Sequence, residues 1–240
     1  MKRLIFGVLG AFALFGCGGG GGGGSTAKPA HIAYVNASPD AGNLDFYSNG
    51  VSKASGVTFG TATAFSDVKA GDYDVSVTPA GGSEVLWSET ETYTADEDYV
   101  SVALGLRNPD LTQDTEREKR LVIALGNIDR TAPTGSRTRL LIVHTFVRKS
   151  GFSTPSIDFR NPEDPPVVNT TDIDFGATRS IDVDSGSQTF EVRQNGTDQV
   201  FAAATTTLDA GSVYLALVSG QEDATGASAP TIRFVKLATR

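Results

Sequence analysis

The chain has 240 residues, with 28 Asp and Glu against 20 Lys and Arg, a formal net charge of −8 and one cysteine. An acidic chain without a basic stripe is not built to neutralise nucleic-acid phosphates. One cysteine allows no intrachain disulfide, so stability must come from buried apolar surface. A chain this long has room for two ordinary cores of about 100 residues each.

Met1-Lys2-Arg3 gives a short positive start, and residues 4–15 are apolar. That run is too short for the roughly 20 residues of a membrane-spanning helix and fits the hydrophobic region of a secretory signal. Leu14-Phe15-Gly16-Cys17 closes the run, and glycines fill positions 18–24. The segment resembles a bacterial lipoprotein signal, whose lipobox ends in Gly or Ala before Cys. The resemblance implies that residues 1–16 are a signal peptide and that Cys17 becomes the lipidated N-terminus, carrying palmitate or a similar acyl chain. Two or more such chains anchor stably, whereas one binds a membrane only marginally. Residues 17–29 then form a Gly-rich tether, whose eight residues after Cys17 span about 15 Å as a flexible coil. Gly18 is not aspartate, so resemblance to proteobacterial lipoproteins implies the outer membrane, facing the periplasm or the cell surface.

From residue 30 onward apolar and polar residues alternate over short runs broken by Gly, Pro, Asn or Asp, the pattern of half-buried strands. Asp74-Val75-Ser76-Val77, Tyr99-Val100-Ser101-Val102, Ile181-Asp182-Val183 and Thr189-Phe190-Glu191-Val192 show it. Residues 112–120 are the best helical candidate, in a charged connecting loop. Residues 129–136, with Pro133 and Gly135, read as a linker. The two sides of that linker match each other. Asn43-Leu44-Asp45-Phe46 pairs with Ser156-Ile157-Asp158-Phe159, Phe59-Gly60 with Phe175-Gly176, Val75 and Val77 with Phe190 and Val192, Trp87 with Phe201, and Tyr99-Val100 with Tyr214-Leu215, at offsets of 113–116 residues. The expected architecture is all-β: two tandem immunoglobulin-like antiparallel β-sandwich domains, 30–134 and 135–240. Tyr99 and Tyr214 follow turns. They are either core aromatics or corner tyrosines bonding back to those turns.

His31-Ile32-Ala33-Tyr34-Val35-Asn36-Ala37-Ser38-Pro39-Asp40-Ala41, followed by Leu44-Asp45-Phe46-Tyr47, resembles the opening of the domain-of-unknown-function family DUF4397. Val57-Thr58-Phe59-Gly60 and Ala70-Gly71-Asp72-Tyr73-Asp74-Val75 continue the likeness. Asn36 stands where the family has histidine, and Gly42 where it has proline. The second unit reads Val143-His144-Thr145-Phe146 before a longer loop. The resemblance implies tandem copies in an envelope protein, with no assigned activity.

No catalytic constellation, cofactor motif or metal spacing emerges. His31 and His144 sit at non-equivalent places, with the repeat offset putting His31 near Leu140 or Leu141. Asp172/Asp174 and Asp182/Asp184 are calcium-like strings, yet lack the glycine and glutamate of a calcium loop, and outward carboxylates on strands explain them. Asn36, Asn169 and Asn195 begin glycan-acceptor triplets, which carry little weight in a bacterial lipoprotein. Trp87 and Phe201 read as a shared core role rather than a sugar platform. Ser38, Pro39 and Asp40 form the sharpest local feature, a turn that either sets strand register or serves as a binding loop. The expectation is a non-enzymatic, lipid-anchored cell-envelope protein. It touches the membrane through its N-terminus and binds or scaffolds an envelope protein or glycan. The alternatives are an accessory subunit of an envelope complex, or a carboxylate-dependent hydrolase.

Overall fold

The computed structural model describes residues 28–163 and 166–240, so the segment read as a lipobox, Cys17 and most of the expected tether lie outside the described residues. In the first half, β1 (Ala30–Asn36), β4 (Thr61–Ala62), β8 (Asp98–Leu104) and β9 (Val122–Ile128) form one sheet in the order β4-β1-β8-β9, with β5 (Ser66–Val68) also paired to β1. β2 (Leu44–Ser48), β3 (Val51–Val57), β6 (Gly71–Pro79) and β7 (Trp87–Tyr93) form the other, ordered β3-β2-β6-β7. A one-turn helix, α1 (Asp114–Arg117), falls inside the segment with helical character.

The second half has the same plan. β10 (Arg137–His144), β13 (Thr178–Asp184), β16 (Val213–Ser219) and β17 (Thr231–Leu237) are ordered β13-β10-β16-β17. β11 (Ile157–Arg160), β12 (Asn169–Ile173), β14 (Gly186–Gln194) and β15 (Val200–Leu208) are ordered β12-β11-β14-β15. The fold is all-β, as its alternating runs require. One pair in each half departs from the antiparallel expectation: β1 lies parallel to β8, and β10 parallel to β16. Each first strand enters its sheet from the same end as the strand it pairs with, after a long excursion of the chain.

Alternation fails as a guide to burial in the strands that matter most. β8 and β16 are buried at all seven positions. Tyr99 and Ala103 face a core closed by Phe46, Val75 and Val77. Tyr214, Ala216 and Val218 face another with Phe159, Phe190 and Val192. The opposite faces meet each other. Ala33, Val35, Val100, Val102 and Leu104 pack with Leu141, Val143, Val213, Leu215 and Leu217 in a third core shared by both halves. Fully burying a Val or Leu is worth roughly 1.5–3 kcal/mol relative to exposure, so this seam is as apolar as a domain interior. Four sheets are stacked with three cores between them.

The stacking is near two-fold. A Cβ on Gly126 of β9 would stand 3.2 Å from Thr178 of β13, while Arg233 of β17 lies across Gly60 beside β4. Equivalent faces therefore meet with their edges crossed, the arrangement of an isologous dimer made within one chain. Both inner sheets run the same way. At the end where the chain enters, Lys28 and Arg240 bond Asp96 at 2.8 and 2.5 Å. There too Arg130 donates to Asp98 at 2.7 Å and to the Ala238 carbonyl at 2.9 Å. At the opposite end stand the loops 37–43, 105–121, 145–156 and 220–230.

Candidate functional site

The loop after β1 lies at that far end and is held from several sides. Ser38 is fully buried, its amide donating to Asn36 Oδ1 at 3.1 Å and its hydroxyl to Asp40 Oδ1 at 3.3 Å. Asp40 accepts the amides of Arg107 at 2.7 Å and Asn108 at 3.2 Å. The Pro39 carbonyl accepts the Ser228 hydroxyl of the second half at 2.8 Å. What the turn offers to solvent is part of Pro39, together with Asp40, Gly42 and Asn43. Its polar atoms thus join three loops to one another.

A clasp beside it joins the two halves more tightly. The Lys119 ammonium is wholly buried, donating to Glu116 Oε1 at 2.7 Å and to the Lys149 carbonyl at 2.8 Å. Glu116 also accepts the Gly151 amide at 2.9 Å, and its partners hold the carboxyl below its ordinary value despite burial. Glu118 accepts the Thr154 amide at 3.2 Å. Arg148 stands 5.3 Å from the Phe152 ring and 5.2 Å from Phe201, with its Nε on Glu222 at 2.5 Å. On the first half, Arg120 covers Trp87 at 4.4 Å. Trp87 and Phe201 both sit half-buried at a core edge under an arginine.

The repeated Leu/Ile-Asp-Phe motif has a structural use. Asp45 accepts the amides of Gly56 at 2.7 Å and Gly81 at 2.9 Å. Asp158 accepts those of Asp172 and Gly196, both at 3.2 Å, and the Asn195 side chain at 2.8 Å. Each aspartate braces a bulge and a hairpin turn. Gly56 (φ 66°) and Asp172 (φ 57°) occupy the same left-handed bulge position, which Asp tolerates better than most residues. Asp182 bonds Arg139 and Asp184 pairs with Arg137 at 3.5 Å. Among the described residues no three His, Cys, Asp or Glu side chains gather as a metal site would require.

The histidines are kept apart. His31 Nδ1 meets Asp67 at 2.8 Å near the surface. Asn36 faces Ala103 and His144 faces Val218 in ladders 115 residues apart, so His144 is the counterpart of Asn36 and Arg139 that of His31. The first strands are offset by 108 residues rather than 113–116, because the loop after β10 is longer. Asn36 donates to the carbonyls of Gly42 and Val57 at 2.8 and 2.9 Å, and His144 Nε2 donates to that of Pro155 at 3.0 Å. His144 Nδ1 has no partner, and Phe175 meets the ring edge-on at 5.7 Å. Burial lowers its pKa to about 4, so it is neutral at physiological pH. Tyr99 accepts the Thr94 amide at 3.0 Å, and Tyr214 accepts that of Asp209 at 3.4 Å, each five residues back. Both tyrosines thus bond to their turns.

The described residues include two clefts open to solvent. One lies at the seam, lined by His31, Thr63, Phe65, Arg130, Lys236 and their neighbours. Its three basic groups are already paired with Asp67, Asp98 and Asp209. The other, lined by Asn161, Asp182, Asp184 and Gln188, is the mouth of the second sandwich near the entry end.

Like the buried Glu116–Lys119 and Asp98–Arg130 pairs, a buried carboxyl of β7 belongs to no sequence motif. Glu91 of β7 is buried, 2 % exposed, inside the first sandwich. Tyr93 donates to it at 2.5 Å and Ser101 at 2.9 Å. Burial raises its carboxyl to about 7. The signal was present in Trp87-Ser88-Glu89-Thr90-Glu91-Thr92-Tyr93, where period-2 alternation puts both glutamates on the face of Trp87 and Tyr93.

Residues 30–145 match the family model described as Domain of unknown function (DUF4397). The DUF4397 match takes in all nine strands of the first half and β10 of the second. No curated protein matches the chain. Among solved structures, the Bacillus anthracis TIE protein aligns at 11% identity and a TM-score of 0.25, over 81% of this chain and 34% of that one. This chain thus spans about a third of the Bacillus protein. A Bacteroides ovatus protein described in terms of cell adhesion aligns at 11% identity and 0.25, over 89% and 97%. Scores that low carry no argument about function.

Proposed function

We propose that this is a lipid-anchored bacterial cell-envelope protein that binds or scaffolds without catalysis, attached through Cys17 and presenting the loops at the end away from its anchor. The supporting observation is the polarity of the stack. The chain enters at Lys28 at one end, while the long loops 37–43, 105–121, 145–156 and 220–230 stand at the other, locked together by Ser38, Asp40, Glu116 and Lys119. Loops on a rigid body, aimed away from a tether, suit recognition. Among the six large apolar side chains most exposed in the described residues, Val85, Leu111, Phe152 and Val200 lie at this far end. An envelope protein or glycan is the partner class, and the outer membrane the location. The alternative of a carboxylate-dependent hydrolase gains nothing from Glu91, which lines neither of these clefts.

The reading is tested in two arms. Labelled palmitate should enter the wild type and not Cys17→Ser; equal labelling would sink the anchor. Phe152→Ala and Leu111→Ala, which keep the buried Glu116–Lys119 pair, should lower recovery of an envelope partner cross-linked to whole cells. An unchanged cross-linking pattern would remove the far end from the proposal.

A further inference from the structure

Of the four buried carboxylates among the described residues, Asp98 has Arg130, Glu116 has Lys119, and Asp45 accepts two backbone amides. Glu91 is different. It points into the first sandwich from β7, the edge strand, and its contacts are hydroxyls. The groups that face it are Tyr34 from β1, Tyr93 and Glu89 from its own strand, and Ser101 from β8, with Tyr73 of β6 alongside Tyr93 at 5.3 Å. From β9 the neighbours in this core are Ile123 and Leu125. Arg120 is committed to the Trp87 ring. Glu89, two residues away on the same face, adds like charge when ionised and is itself raised by burial. In the second half, the ladders place Thr206 of β15 where Glu91 stands, so the first sandwich alone has this group.

We propose that Glu91 makes β7 an acid-tightened edge strand: protonated, it seats β7 against the first sandwich, and ionised, it weakens that seating while the second half is unaffected. The physical cause is the cost of a carboxylate placed among aromatic rings with no counter-charge. The strand that carries it is held by β6 on one side only, so it is the element that can yield to let water reach the charge. The carboxyl is raised from 4.5 to about 7 in the folded chain. The associated stability is therefore fully present below pH 4.5 and is lost as the pH rises to about 7. If opening of β7 exposes Glu91 to water, the opening constant grows about tenfold per pH unit across that interval and levels off above it.

The test is amide hydrogen exchange on the whole chain between pH 5 and 8, corrected for the intrinsic pH dependence of exchange. Those amides of residues 88–93 that bond to β6 should lose between about one and two orders of magnitude of protection between pH 5 and 7 and then level off. Glu91→Gln should hold them flat, and the equivalent amides of β15 should show no such loss in either protein. Equal slopes in wild type and Glu91→Gln, or in β7 and β15, would overturn the proposal. Should Glu91→Gln fail to fold, carboxyl-carbon NMR on the wild type decides: titration near 7 supports the device, and titration near 4.5 overturns it.

Discussion

His144 and Asn36 show how one backbone position accepts two chemistries. Both sit at the end of a first strand, and each donates across a loop to a carbonyl. Asn does so without a titratable group, whereas His144 must stay neutral. Its pKa is depressed from 6.5 to about 4, so its stabilising contribution is complete above pH 6.5 and is lost as the pH falls toward 4. A tenfold change in proton affinity is worth about 1.4 kcal/mol. The stability difference between His144→Asn and wild type should move in favour of the variant by about 3 kcal/mol between pH 7 and pH 4, read from denaturant melts. Glu91 acts in the opposite sense over much of the same range. Wild-type stability should therefore be flatter with pH than that of either single variant. Asp45 makes a third case at this scale. Asp45→Ala strips the acceptor from two amides and should cost about 2–4 kcal/mol, while Ser52→Ala on the exposed β3 should cost under about 0.5 kcal/mol.

Among the elements, the loop after β1 and the α1 clasp join the two halves through polar contacts. Replacing Ser38 and Asp40 together with alanine removes the acceptor for the Arg107 and Asn108 amides. It should lower stability by about 1–3 kcal/mol, and exchange should quicken in residues 105–108 first. Lys119→Met leaves Glu116 buried beside the Gly151 amide without its cation, a change worth about 3–5 kcal/mol. The repeated Leu/Ile-Asp-Phe motif was visible in the sequence, and so was the equivalence of Tyr99 with Tyr214. What those side chains hold was less visible. Asp45 and Gly81 are 36 residues apart, and only chain reversal through β6 brings them together.

At the scale of the molecule, the seam decides behaviour. The sequence suggests two units separated by residues 129–136, yet Val102, Leu104, Leu141, Leu215 and Leu217 share one core. We expect a single calorimetric transition. Nicking within residues 131–136 should leave both pieces associated on gel filtration without denaturant. Two resolved transitions, or fragments that separate and stay folded, would show that the seam contributes little. Leu215→Asp should destabilise both halves together, since it puts an unpaired charge between the inner sheets.

By itself the sequence determined the all-β class, the matching motifs on either side of residues 129–136, the turn chemistry around Ser38-Pro39-Asp40 and the resemblance of residues 30–145 to DUF4397. These are local properties: alternation has a period of two residues, and turns are written in four. Tertiary structure alone decided that β8 and β16 are dry on both faces, that His144 is the counterpart of Asn36, and that Glu91 has no counter-charge. Each depends on what stands across a core or a seam. A valine facing solvent and a valine facing a second sheet occupy the same place in an alternating pattern, and only the packing of sheet on sheet tells them apart.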